Sequence, residues 1–115
     1  MDEVMLINSK IKLARLQEIA SARFGNLVKA VVDIRQKIMA IGGEMHADEE
    51  KFLLESGSIQ DDLWGINIYP DNPKESLIEF DSMINLRPRQ NNRTRGIESP
   101  ELQKKIIETV HSLIN

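Results

Sequence analysis

Four guanidiniums within nine residues, Arg87, Arg89, Arg93 and Arg95, are the densest chemistry in this chain, and no carboxylate interrupts them. The same run, RPRQNNRTR, offers the amides of Gln90, Asn91 and Asn92 and the hydroxyl of Thr94. Arginine forks match the oxygen geometry of phosphates and carboxylates. The connection from residue 88 to 98 also exceeds the roughly 4–6 residues usual in compact domains, as binding loops often do. Arg87, Arg89, Asn91, Asn92, Arg93 and Arg95 are therefore the candidates for holding an anionic ligand or an acidic protein surface. Two features pull the other way. Glu98 and Glu101 occupy the following helix start, where an anion would otherwise sit. Residues 44–62 carry seven acidic side chains against one basic one, enough to pair with the arginines within the chain or between copies.

A second set is carboxylic. Glu79 and Asp81 share the polar side of one expected strand, Asp33 takes the corresponding side of another, and with His46 they could form a metal-assisted hydrolase or nuclease. Outward polar positions are, however, what any half-solvated antiparallel sheet displays. In GGEMHADEE, His46 and Asp48 supply nitrogen and oxygen ligand types at a spacing that matches no strong metal signature. The helix dipole alone explains acids there, so no metal and no cofactor is expected. His111 falls in the last turn of the final helix, where a cation suits the dipole, and reads as structural. Trp64 and Tyr69 are too few and too far apart for a base-stacking platform, and the net charge of −3 also disfavours nucleic acid as a partner. No phosphate loop, dinucleotide fingerprint or nucleophile elbow is present.

The elements that must position these groups follow from periodicity. Leu13, Leu16, Ala20 and Phe24 recur at helical spacing from about residue 10, and Gly25-Asn26 supplies a left-handed stop. Val28, Ala30, Val32 and Ile34 alternate with Lys29, Val31, Asp33 and Arg35, the pattern of a half-buried strand. Residues 38–41 fold back as its hairpin partner. Asp48 as N-cap and Gly57 as stop bracket a short helix. Trp64, Ile66 and Ile68 mark a third strand, closed by Pro70. Ile78, Phe80, Ser82, Ile84 and Leu86 alternate as a fourth, ended by Pro88, which lacks the amide proton a central strand needs. Ser99 and Pro100 open a last helix with Leu102, Ile106, Val110 and Leu113 as its apolar stripe.

The expected architecture is α+β: a mainly antiparallel sheet of four strands with about three helices packed on one face. Residues 4–7 would add a fifth strand, making the first helix a crossover and the sheet mixed. At 115 residues and 41% hydrophobic composition, the chain fits a single domain over residues 1–115, with residues 1–3 as a disordered extension. The absence of cysteine excludes disulfides and thiolate chemistry. The apolar run at 4–7 is too short for a signal core or a membrane span, so a cytoplasmic protein with no membrane partner is expected.

KAVVDI (29–34), HADEE (46–50), LWGIN (63–67) and INLRPRQNNR (84–93) together resemble a family of small bacterial and archaeal proteins catalogued only as a domain of unknown function. The resemblance implies a stand-alone prokaryotic protein and brings no activity, ligand or catalytic residue. Three functions remain in play: a non-enzymatic binding module using residues 87–95, the metal-assisted hydrolase, and a structural protein that self-associates as a homo-oligomer.

Overall fold

The computed structural model describes residues 4–115; the extension expected at residues 1–3 lies outside them. Five strands, β1 (Met5–Ile7), β2 (Val28–Asp33), β3 (Ile38–Ile41), β4 (Leu63–Ile68) and β5 (Ile78–Glu79), form one sheet in the order β1-β3-β2-β4-β5. Residues 5–7 do join it, but beside β3, with Met5 opposite Ile41. Strands β1 and β2 therefore run the same way with β3 between them. The crossover through α1 (Leu13–Arg23) leaves every paired neighbour antiparallel, and the mixed sheet does not form.

Side-chain alternation sends two apolar sets to opposite faces. Ala30, Val32, Met39, Ile41, Ile66 and Ile68 pack against Leu16 and Ala20 of α1 and Ile106 and Val110 of α3 (Pro100–Leu113). Val31, Ala40 and Leu63 pack on the other side with Leu53 of α2 (His46–Glu55). The α+β architecture with three helices stands, and its helices divide between the faces. Strand β2 is consequently buried on both sides, with only Lys29 partly exposed, rather than half-buried. Val31 was the signal: it stands among the supposed solvent-facing set, yet burying such a side chain is worth about 1.5–3 kcal/mol.

Helix ends follow local chemistry. Ser99 Oγ accepts from Leu102 N at 3.2 Å and Pro100 takes the first helical position, as expected. Helix α2 begins earlier than Asp48, which lies in the first turn with Glu49 instead of capping it. The β2–β3 turn is held by Asp33, whose Oδ1 accepts from the backbone N–H groups of Arg35 and Gln36, both at 2.9 Å.

The expected strand over 78–87 is the main correction. Only Ile78–Glu79 pair with β4; beyond them the chain leaves the sheet and makes short 3-10 turns at Met83–Asn85 and Pro88–Gln90. A side chain takes the place of the strand. Asn85 Oδ1 accepts from Gly65 N at 2.8 Å while its Nδ2 donates to Gly65 O at 2.9 Å, satisfying the β4 edge as a neighbouring backbone would. Gly65 has to be glycine for this approach, since a Cβ there would lie 2.5 Å from Ser82 Oγ.

Candidate functional site

The arginine loop folds onto its own chain. Arg87 is 6% exposed and its guanidinium lies 4.3 Å from the Trp64 ring centre. Its Nε donates to Ile84 O at 3.1 Å, its Nη1 to Gln60 O at 2.8 Å and Gln90 Oε1 at 3.0 Å, and its Nη2 to Leu63 O, with Glu50 Oε2 3.8 Å away. Burial lowers its pKa and Glu50 partly offsets the shift. Arg89 pairs with Asp61 at 2.6 Å, which holds that carboxyl below its usual range, and Arg95 pairs with Asp81 at 2.8 Å. Two of the four arginines thus meet the acidic stretch 44–62.

Asn92 is a buried hub: its Nδ2 donates to the carbonyls of Asn85, Thr94 and Gly96, and its Oδ1 accepts from Glu98 N at 2.9 Å. Asn91 is exposed at φ 61°, the left-handed residue that closes the Pro88–Gln90 turn. Glu98 turns back onto the backbone N–H of Arg93. The Arg93 side chain alone of the four faces solvent with no ion-pair partner among the described residues.

The carboxylate set is dispersed. Asp33 is committed to its turn and accepts further from Gln36 Nε2 and Ser58 Oγ. Glu79 Oε1 accepts from Asn67 Nδ2 and Tyr69 OH, both at 2.9 Å. Among the described residues no three His, Asp or Glu side chains converge as a metal site, His46 and Asp48 included.

What the fold does assemble is a pocket of about 190 Å³ on the α2 side of the sheet. Lys29 of β2, His46 at the start of α2, Asn67 of β4, and Asp81 and Arg95 from the irregular segment all line it. His46 Nε2 donates to Ile66 O at 2.7 Å, and burial lowers its pKa, so the ring is neutral with Nε2 as its N–H. Asn67 is 8% exposed, its Nδ2 directed at Glu79 and the carbonyl of Asp81, and its buried Oδ1 has no hydrogen-bond partner among the described residues. Lys29 makes no ion pair among the described residues and rests its Nζ 5.1 Å from the Phe24 ring centre. Lys29, with no ion-pair partner, and Asn67, whose buried Oδ1 has no hydrogen-bond partner among the described residues, therefore line one small volume beside His46. The larger cavity of about 490 Å³, between the β2–β3 turn and α3, is lined by mixed charges such as Lys37, Asp62, Lys105 and Glu108 and has no such buried, unmatched atom.

Sequence reasoning singled out His46, Asp81 and Arg95 but missed Lys29 and Asn67. Their signal was available: each is a polar residue flanked by apolar ones inside a strand, VKAVVD and LWGINI.

Beneath α2 lies a buried acid. Glu49 is fully buried, its Oε2 accepts from Gly43 N at 2.9 Å, and its Oε1 has no partner among the described residues. Desolvation pushes its pKa up to about 9, so it is a neutral acid at pH 7.

No helix among the described residues is long and apolar enough to cross a membrane. No curated protein and no solved structure matches the chain. A family model described as "Protein of unknown function (DUF5674)" matches residues 5–113.

Proposed function

We propose that this chain, which belongs to the family of unknown function DUF5674, is a small binding module. Its ligand is a small anion that also carries a hydrogen-bond donor. The observation that carries the reading is the pairing of Lys29, a cation with no carboxylate partner among the described residues, with the buried, unmatched Asn67 Oδ1 in the same pocket. The ammonium supplies a point charge for a phosphate or carboxylate oxygen. Arg95, tethered by Asp81, adds guanidinium N–H donors at the rim. Neutral His46 contributes no charge, and its ring closes one wall. A protonated oxyanion, or an acid bearing an OH or NH group, satisfies both Lys29 and Asn67.

A ligand that binds only the native state raises stability with its concentration. Inorganic phosphate at millimolar concentration should raise the thermal midpoint of the wild type, and Lys29→Met should abolish the rise. An equal rise in both proteins would locate the anion elsewhere, with Arg93 the first alternative.

A second reading rests on the rim. Met45 and Met83 line the pocket and are 59% and 63% exposed, an adaptable apolar border suited to a peptide. In that case an acidic peptide segment places its carboxylate at Lys29 and its apolar side chains on the methionines. Replacing both methionines with Ser would weaken such a peptide and leave phosphate binding intact.

A further inference from the structure

A second groove lies between α3 and the turn that joins β4 to β5, on the side of the molecule occupied by α1. Two cavities of about 240 and 340 Å³ share Lys74 and His111 as lining residues. The smaller is otherwise walled mainly by Leu13, Leu77 and Ile114, and the larger by Ile78, Phe80 and Ile107 with Glu75. The groove thus has mainly apolar walls, with Asn72 in the smaller cavity, Glu75 in the larger, and Lys74 and His111 where the two meet.

His111 does not behave as a charged cap for the last helix turn. Desolvation lowers its pKa and nearby Lys74 lowers it further, so the ring is neutral at pH 7. Its Nε2 is buried and has no hydrogen-bond partner among the described residues. Lys74 is exposed and has no ion-pair partner among the described residues, while Asn72 beside it is engaged with Ser76 O at 3.0 Å.

We infer that this groove binds a small monocarboxylate with an apolar body, its carboxylate between Lys74 and His111 and its apolar part along the aliphatic walls. Charge complementarity selects an acid over a neutral molecule, because Lys74 is the cation at the junction. As the Nε2–H tautomer, His111 donates to the carboxylate and gains the partner that Nε2 lacks among the described residues. The Glu75 charge keeps the anionic end at the shared stretch and away from the far end of the larger cavity. The site is separate from the pocket around Lys29, on the opposite face of the sheet, and does not depend on it.

The test is a backbone amide NMR titration with sodium octanoate, kept below its micelle concentration, and with octanol as the neutral counterpart. Octanoate should shift amides in residues 74–78 and 107–114 saturably, and at least tenfold more tightly than octanol. Lys74→Met keeps the aliphatic stem and an exposed position, so it should fold normally and lose that tenfold preference. Lys29→Met should leave octanoate binding unchanged. Shifts that do not saturate, that map elsewhere, that octanol reproduces at equal affinity, or that survive Lys74→Met unaltered would each overturn the inference.

Discussion

The arginine loop and the Lys29 pocket contain the same kinds of groups and do opposite things with them. In the loop all three guanidinium nitrogens of Arg87 and both ends of the Asn85 and Asn92 amides meet a protein partner, so the polar groups lock one backbone conformation onto β4. In the pocket, Lys29 lacks an ion-pair partner and the buried Asn67 Oδ1 a hydrogen-bond partner among the described residues. The lesson is that donor density does not by itself mark a recognition site, because donors that meet acceptors within the chain are already spent.

That contrast can be broken most forcefully at Arg87. Arg87→Ala removes the partner of three backbone carbonyls and uncovers Trp64, and each buried group left unsatisfied costs about 1–3 kcal/mol. The expected loss is about 3–5 kcal/mol in urea unfolding. A loss below about 1 kcal/mol would mean the carbonyls find water and the loop is no lock.

Glu49 gives the next largest effect. Its folded pKa, about 9, lies above the unfolded value of 4.5, so between these the folded state holds a proton that the unfolded state has released. Stability from this group is therefore highest below pH 4.5 and falls as pH rises toward 9, with a limiting slope of about 1.4 kcal/mol per pH unit. Glu49→Gln keeps the acceptor for Gly43 N and should flatten this slope in unfolding series at pH 5, 7 and 9. An unchanged slope would mean the carboxyl is ionised when folded.

Gly65→Ala sharpens the comparison at the seam where the loop meets β4. A Cβ 2.5 Å from Ser82 Oγ forces the segment off the strand edge, and overpacking of this kind costs about 1–3 kcal/mol. A neutral result in thermal unfolding would show that Ser82 moves aside freely. Smallest of all is Arg89→Ala, which removes a solvent-exposed pair with Asp61. It should leave the unfolding midpoint almost unmoved; a large drop would place this exposed arginine in the lock beside Arg87.

Much of this was legible in the sequence wherever one physical rule acts alone. The 3.6-residue stripe of Leu102, Ile106, Val110 and Leu113 with its Ser99-Pro100 start was readable because capping and burial agree. So was the pairing of arginines with the acidic stretch, since opposite charges in one small chain have little else to meet. The irregular course of 80–98 was not, because its alternation mimics a strand and its true cause is long-range: an amide at Asn85 matching the backbone of a glycine twenty residues earlier. The pocket was hidden for the same reason. Lys29, His46, Asn67 and Arg95 become neighbours only through the β2–β4 register and the placement of α2 on the face away from α1 and α3. The charge state of His111 was not legible either, because its sequence position reports the helix dipole, whereas burial and Lys74 lower its pKa.

The most direct test of the central claim is a backbone amide NMR titration of the wild type with inorganic phosphate. Saturable shifts clustered on Lys29, His46, Asn67 and Arg95, and lost in Lys29→Met, are the predicted result. Shifts confined to Arg89 and Arg93, with the pocket silent, would contradict it and return anion binding to the loop.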